Sequence, residues 1–147
     1  MDDLSSDFEE LLALLNAHRV RAIVVGGHAL AFHGHPRYTK DLDLFVDADP
    51  DNAAALLDAL TAFGFGTVGL TREDFTSPGK VVQLGVSPNR IDLMTSIDGV
   101  SFAEAWSSRV RGTFGRTPVH FIGREVFLQN KRATGRPQDL ADIAALE

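Results

Sequence analysis

Segments with the apolar spacing of helices alternate along this chain with short apolar segments typical of buried strands. The first helical pattern covers residues 7–17, with Ser6 and Glu9 as its capping box. Residues 20–25 form an apolar strand that meets Gly26-Gly27, and a short helix follows over 28–32. Because such alternation packs helices against a sheet, the sequence predicts an α/β fold with a mixed, twisted sheet flanked by helices.

Turn and capping residues divide the rest of the chain in the same way. Asp49 is a good N-cap with Pro50 at the first helical position, and Ser101 with Glu104 forms a second capping box. The turn residues 87–89 return the chain into a strand antiparallel to the one before it. The further predicted elements are strands over 41–46, 67–70, 80–86, 90–94 and 119–122, helices over 50–64, 124–134 and 137–146, and a helix capped by Ser101 and Glu104 that carries Phe102 and Trp106.

Length and composition predict one domain in a reducing compartment. The chain has 147 residues, which fits a single domain, with a core over about 18–123 and C-terminal helices over about 124–147. It has no cysteine, an acidic start and no apolar run long enough for a membrane span, so we expect a cytoplasmic protein that does not bind membranes. The net charge of −6 argues against indiscriminate coating of nucleic acid.

Two carboxylates share one face of a predicted strand. Asp41 and Asp43 are two residues apart, and side chains in a strand alternate between its faces. Held side by side in a half-buried sheet they would repel each other, and a divalent cation such as Mg²⁺ or Mn²⁺ removes that conflict. The alternative for an isolated pair of this kind is two solvated acids at a strand end.

Three further features favour the cation. Asp92 lies inside an apolar strand, where a lone charge is costly and a metal is its simplest partner. Gly26-Gly27 closes a strand and opens a helix, a geometry that presents backbone N–H groups to an anion. Cationic and hydroxyl groups that suit phosphate oxygens precede the paired acids, namely Arg37, Thr39 and Lys40.

The combined pattern resembles the nucleotidyltransferases related in fold to DNA polymerase beta. The resemblance rests on Gly26-Gly27, Asp41-Leu42-Asp43 and Asp92 in their spacing. The finer pattern of residues 25–30 and 37–44, with the segment 131–143, is similar to the small bacterial AbiEii-type branch, which includes toxins of toxin–antitoxin systems. Two departures stand out: Gly27 replaces a serine found in many members, and the chain is short for this branch.

The resemblance implies a Mg²⁺-dependent transfer of a nucleoside monophosphate from a nucleoside triphosphate to a hydroxyl. The acceptor would be an RNA end, a protein side chain or a small molecule, and a cognate antitoxin would be a partner. Asp41, Asp43 and Asp92 would be the catalytic, metal-binding residues. The nucleotide and its phosphates would be held by Gly26, Gly27, His28, Arg37, Thr39 and Lys131, the last from the exposed face of a late helix.

Other interpretations remain open at the level of sequence. The domain could be a catalytically silent binding partner that keeps the fold as a scaffold, or a metal-dependent phosphohydrolase using the same acids. His28, His33 and His35 lie close together, but their spacing matches no familiar zinc pattern. Asp139 and Asp142 are expected to form salt bridges with Arg136 or Arg132.

Overall fold

A six-stranded mixed sheet organises the protein. The structure, a computed structural model, describes residues 3–35, 41–65, 69–85 and 90–147. Across these residues the sheet order is β3-β4-β2-β1-β6-β5. The strands are β1 (Ala22–Val25), β2 (Leu42–Val46), β3 (Val81–Leu84), β4 (Ile91–Met94), β5 (Val110–Phe114) and β6 (Thr117–Phe121). The parallel pairs are β2 with β4 and β1 with β6, and the other neighbours are antiparallel.

Helices cover both faces of this sheet. They are α1 (Asp3–Ala17), α2 (Gly26–Phe32), α3 (Pro50–Leu60), α4 (Phe102–Ser107), α5 (Arg124–Thr134) and α6 (Pro137–Leu146), with a π-helical turn at Thr61–Phe65 and a 3₁₀ turn at Arg72–Phe75. Leu12 and Leu15 of α1 lie with Val24 and Leu44 on one face. On the other face Phe45 contacts Phe102 of α4. The core therefore has two layers with the sheet between them.

Several local predictions are confirmed, together with the α/β class and the mixed sheet. The Asp49 side chain accepts a hydrogen bond from the Asp51 N–H, and Pro50 is the first residue of α3. Ser101 and Glu104 form the predicted capping box of α4. The two C-terminal helices have the predicted bounds, because Gly135 adopts a left-handed conformation that ends α5 and Pro137 restarts the chain as α6.

Other boundaries differ from the prediction. The first helix begins at Asp3, so Ser6 lies inside it and is not its cap. Gly26 and Gly27 belong to the first turn of α2 and do not precede it, and the α-helix predicted to reach Gly64 ends at Leu60. Residues 69 and 70 are not in a strand, whereas residues 67, 68, 86 and the turn 87–89 lie outside the described residues.

The largest omission is β5. This strand is mostly exposed at the sheet edge, so it lacks the apolar pattern that identifies buried strands. None of the helices in the described ranges has the length and apolar character needed to cross a membrane.

Candidate active site

Asp43 and Asp92 lie side by side at one end of the central strands. In the parallel pair of β2 with β4, Asp43 is the register partner of Asp92. On the other side of β2, Asp43 is opposite Val25, the last residue of β1. Side chains opposite each other in a sheet share a face, so these strands bring the two carboxylates together. Asp92 is buried and Asp43 is partly buried.

The crowding raises the pKa of Asp43 to about 7. Burial is the largest cause, followed by the negative charge of Asp92, a hydrogen bond between the two carboxyl groups and the charge of Asp41. The hydrogen bond requires a proton on one carboxyl group, and the shift assigns that proton to Asp43. As the pH rises through 7 Asp43 loses this proton, and the two carboxylates then repel each other, a conflict that a cation would remove.

Arg90 is the residue that sequence reasoning missed. Its Nε lies 2.9 Å from Asp92 Oδ1, its Nη2 lies 3.2 Å from Asp92 Oδ2, and the same Nη2 lies 3.3 Å from Asp41 Oδ2. Asp92 therefore has a cationic partner within the chain, and its predicted role as a metal ligand stays a prediction. The signal was present: residues 90 and 92 are two apart, and so point to one face of an extended chain.

Gly26 allows the close approach of α2 to the carboxylates. A Cβ atom added at Gly26 would overlap the Asp43 carboxylate, and the residue has a φ of +69°, which side chains other than glycine rarely adopt. Gly27 is buried in the next position of α2. Glycine is therefore required at position 26, because any side chain there would occupy the space of the Asp43 carboxylate.

Lys131 is buried, which corrects the prediction that it lies on the exposed face of its helix. Its Nζ is 2.9 Å from Asp142 Oδ2 and 3.3 Å from Asp139 Oδ1. Arg136 donates from Nε to Asp139 at 2.9 Å, as the sequence predicted. Asp142 differs from the prediction, because it pairs with Lys131, while Arg132 pairs with Glu147.

Hydrogen bonds determine the charge of Asp139. Burial acts to raise the pKa of this carboxyl, but hydrogen bonds from Arg136 and Lys131 outweigh burial and hold the pKa below its usual value. Asp139 is therefore ionised, and it shares Lys131 with Asp142 across the α5–α6 junction.

One cavity joins Asp43 to the C-terminal helices. It has a volume of about 370 Å³, and its wall includes Gly26, Asp43, Lys131, Arg136 and Asp139. This volume falls in the range of small-ligand sites in proteins. The fold thus brings residues that are far apart in sequence to one polar pocket.

His28, a predicted nucleotide-binding residue, does not line this pocket. The His28 ring lies edge-on to Phe8 and Phe114 and lines a different, mainly apolar cavity, where burial lowers its pKa. His33 Nε2 is 2.6 Å from the carbonyl oxygen of Ile122. Arg37, Thr39 and Lys40 lie outside the described residues.

The donors fit a divalent cation at a pair of carboxylates and not at three. Asp43 and Asp92 offer hard oxygen ligands at one point, and their repulsion is a conflict that a cation resolves. Asp41 is directed to Arg90. In the described ranges no three His, Cys, Asp or Glu side chains converge on one point. A cation at this pair would depend on water and substrate oxygens for its other ligands, which is usual for Mg²⁺.

Comparisons with known proteins agree with this fold. A crystal structure of an antigenic nucleotidyltransferase-like protein from Paracoccidioides brasiliensis superposes with a TM-score of 0.57 at 15% identity, covering 99% of this chain and 76% of that chain. This likeness shows the fold. No curated protein matches the chain. Residues 2–147 match the family described as "Nucleotidyltransferase of unknown function (DUF6036)", and the chain belongs to this family.

Proposed function

We propose that the protein is a Mg²⁺- or Mn²⁺-dependent enzyme that transfers a nucleoside monophosphate from a nucleoside triphosphate to a hydroxyl acceptor. One observation carries the proposal: Asp43 and Asp92 are register partners, and Asp43 lies in the wall of a polar pocket of small-ligand size. Membership of a nucleotidyltransferase family supports the same class of reaction.

The reaction would use residues that line the pocket and residues beside it. Asp43 and Asp92 hold the cation, and Asp92 either completes its ligands or accepts the proton of the attacking hydroxyl. When bound, the cation supplies charge neutralisation at the α-phosphate and a lower pKa for the attacking hydroxyl. The acceptor oxygen forms a bond to the α-phosphorus while the bond to the bridging oxygen breaks, and pyrophosphate leaves.

The phosphates are assigned to the start of α2 and to Lys131. Gly26 and Gly27 keep the α2 backbone close to Asp43, and Lys131 is a positive charge for the β- or γ-phosphate oxygens. The roles predicted for Asp41, His28, Arg37 and Thr39 remain predictions. Asp41 would join the metal ligands only after leaving Arg90.

Calorimetric titration with ATP, CTP, GTP and UTP in Mg²⁺ tests the proposal. We expect micromolar, metal-dependent binding of at least one nucleotide, weakened about tenfold or more in Asp43→Asn and Asp92→Asn, since each variant removes one anionic ligand. Asp47→Asn is the matched control, because Asp47 immediately follows β2 at its other end and pairs with Arg21.

The control separates the site from a general loss of structure. Nucleotide affinity in Asp47→Asn should equal that of the unsubstituted protein. If no nucleotide binds with either Mg²⁺ or Mn²⁺ to the folded protein, the enzyme proposal fails. Binding that survives both Asp43→Asn and Asp92→Asn would place the nucleotide elsewhere.

A catalytically silent scaffold is the second candidate, and Arg90 favours it. Its guanidinium satisfies Asp41 and Asp92 without a metal, so these acids do not require catalysis to explain them. The two candidates differ in how they explain Asp43. Its surroundings raise the pKa of this carboxyl to about 7, which costs stability, and a scaffold would have no use for a carboxylate at this cost. Absence of nucleotide binding in the titration above would favour the scaffold.

We also infer an AbiEii-type role, in which the enzyme is a cytoplasmic toxin with a cognate antitoxin. The pattern of residues 37–44 and the α5–α6 segment support this assignment. Induced expression in a bacterial host should arrest growth, and Asp92→Asn should relieve the arrest at equal protein level. Unimpaired growth with abundant, nucleotide-binding protein would exclude a toxin and leave the transferase reaction intact.

A further inference from the structure

Arg90 neutralises part of the carboxylate cluster from inside the chain. Both oxygens of Asp92 accept hydrogen bonds from its guanidinium, through Nε at 2.9 Å and Nη2 at 3.2 Å. The same Nη2 lies 3.3 Å from Asp41 Oδ2. One planar cation therefore binds Asp92 in a bidentate manner and bridges it to Asp41, a geometry that lysine could not reproduce.

This arrangement conflicts with a metal on the same carboxylate. A cation at the Asp43–Asp92 pair needs lone pairs of Asp92, and it also places a second positive charge beside the guanidinium. About a third of the Arg90 side chain is exposed, at 34%, so the guanidinium has a path into solvent. Asp92 is 10% exposed by side chain and lies on β4, which is paired with β3 on one side and β2 on the other, so it cannot follow.

We propose that Arg90 is an internal counter-cation that holds Asp41 and Asp92 in the metal-free protein and is displaced from Asp92 when a divalent cation binds. This inference rests on the proposed metal-dependent transfer. Arg90 is then a positioning residue that sets the affinity for the metal, because the cation must offset the lost guanidinium contacts. It keeps the acids in place at low metal concentration and releases them at high concentration.

Metal affinity of Arg90→Gln is the first test. Mn²⁺ and Mg²⁺ are titrated without nucleotide by calorimetry, and we expect the variant to bind about fivefold or more tightly than the unsubstituted protein. Its melting temperature in chelator should be lower, since Asp41 and Asp92 lose their partner. Arg21→Gln is the matched control: Arg21 is 37% exposed and pairs with Asp47 at 2.8 Å and Asp49 at 3.6 Å, away from the pocket.

A second measurement needs no variant. In ¹⁵N spectra of the unsubstituted protein, the Arg90 Nε–H donates to Asp92 and should give a protected signal in chelator. Saturation with Mg²⁺ should shift that signal and increase its exchange with water. The signal of Arg21 Nε, which donates to Asp47 at 2.8 Å, should not move.

The outcomes distinguish this inference from the proposed function. Unchanged or weaker metal binding in Arg90→Gln, or an Arg90 signal that Mg²⁺ leaves unchanged, overturns displacement while metal-dependent nucleotide binding still stands. If Arg90→Gln does not fold, the ¹⁵N spectra decide. If neither protein binds a divalent cation with or without nucleotide, both the inference and the metal-dependent reaction are overturned.

Discussion

Asp43 is the residue of the site whose ionised form is most disfavoured by its surroundings. Its carboxyl is partly buried beside those of Asp92 and Asp41, and its pKa rises to about 7 against an ordinary value of 3.8. The folded protein therefore binds a proton at Asp43 between pH 4 and 7 that the unfolded chain has lost. Above pH 7 both states are ionised, and the folded state carries the whole penalty. The carboxylate is thus kept at the expense of stability, which is typical of a functional group.

Replacing Asp43 should therefore stabilise the metal-free protein at alkaline pH. In chelator at pH 8 we expect Asp43→Asn to raise the free energy of unfolding by about 1–3 kcal/mol, because an amide beside Asp92 is neutral and can donate to it. The gain should shrink as pH falls through 7 and disappear near pH 4. Thermal unfolding across this range measures it.

The exposed Asp58 of α3 provides the control for that pH dependence. Asp58→Asn should change stability by less than about 0.5 kcal/mol at every pH. A stabilisation by Asp43→Asn that is the same at pH 4 and pH 8 would contradict the raised pKa. Added Mg²⁺ should stabilise the unsubstituted protein at pH 8 and leave Asp43→Asn nearly unchanged.

Gly26 is the second residue at which the site restricts the sequence. Gly26→Ala should cost about 1–2 kcal/mol for its positive φ, and further for the overlap of the new Cβ with Asp43. Gly79→Ala is the control, since Gly79 has a φ of +75° and nothing within 4 Å of an added Cβ. Urea unfolding and nucleotide titration of both variants separate the two effects.

The two glycine variants should differ in function more than in stability. Nucleotide affinity should fall about tenfold or more in Gly26→Ala, because the Asp43 carboxylate must move away from Asp92. Gly79→Ala should bind nucleotide as the unsubstituted protein does. Equal affinity in the two variants would show that Asp43 tolerates displacement and that Gly26 is only a backbone requirement.

At the scale of secondary-structure elements, one lysine links α5 to α6. Lys131 is shared by Asp139 and Asp142, whose side chains are 3% and 2% exposed. Gln138 and Arg136 complete the hydrogen bonds of these carboxylates. Removing the lysine leaves two buried charges without their shared cation, which is costly even though the intact group adds little net stability.

Lys131→Met should accordingly destabilise the protein by about 3–5 kcal/mol in urea unfolding at pH 7. Arg132→Ala is the matched control on the same helix, since Arg132 is 53% exposed and pairs with Glu147 at 3.2 Å. Its cost should stay below about 1 kcal/mol. Similar costs for the two variants would mean that Lys131 is not the shared partner of the buried acids.

Local chemistry explains which elements the sequence could predict. The caps at Asp49 and Ser101 and the stop at Gly135 act through adjacent residues, so the sequence predicted the starts of α3 and α4 and the end of α5. Strand β5 is held by pairing with β6 at the sheet edge, and its exposed residues leave no apolar pattern. Pairing of that kind is a tertiary effect that a local pattern does not contain.

In the site, too, local patterns identified single residues but not the contacts that form between distant parts of the chain. Asp43 and Asp92 were identified by residue type and spacing, but their register across β2 and β4 required the sheet. Lys131 was placed in solvent because its partners are 8 and 11 residues away, on the next helix. Arg90 lies two residues before Asp92 in the sequence and was overlooked, because the partner of Asp92 was assumed to be a metal.

At the scale of the whole molecule, the fold provides a pocket for one small ligand. The cavity beside Asp43 has about 370 Å³, room for a nucleotide-sized molecule and not for an RNA chain or a second protein as well. Another large cavity, around His28, Phe32 and Phe114, is mainly apolar, and none of the three aspartates lines it. A transfer reaction therefore needs an acceptor that approaches the Asp43–Asp92 pair from outside.

This requirement predicts an acceptor-dependent reaction. With the preferred nucleoside triphosphate and Mg²⁺ alone, pyrophosphate release should be slow, and adding RNA or protein acceptors should raise it about tenfold or more as label from the α-phosphate enters the acceptor. Asp92→Asn should lower the stimulated rate about a hundredfold, and Asp58→Asn should leave it unchanged. Fast release of phosphate or nucleoside monophosphate without any acceptor would instead identify a phosphohydrolase, because water would then be the nucleophile.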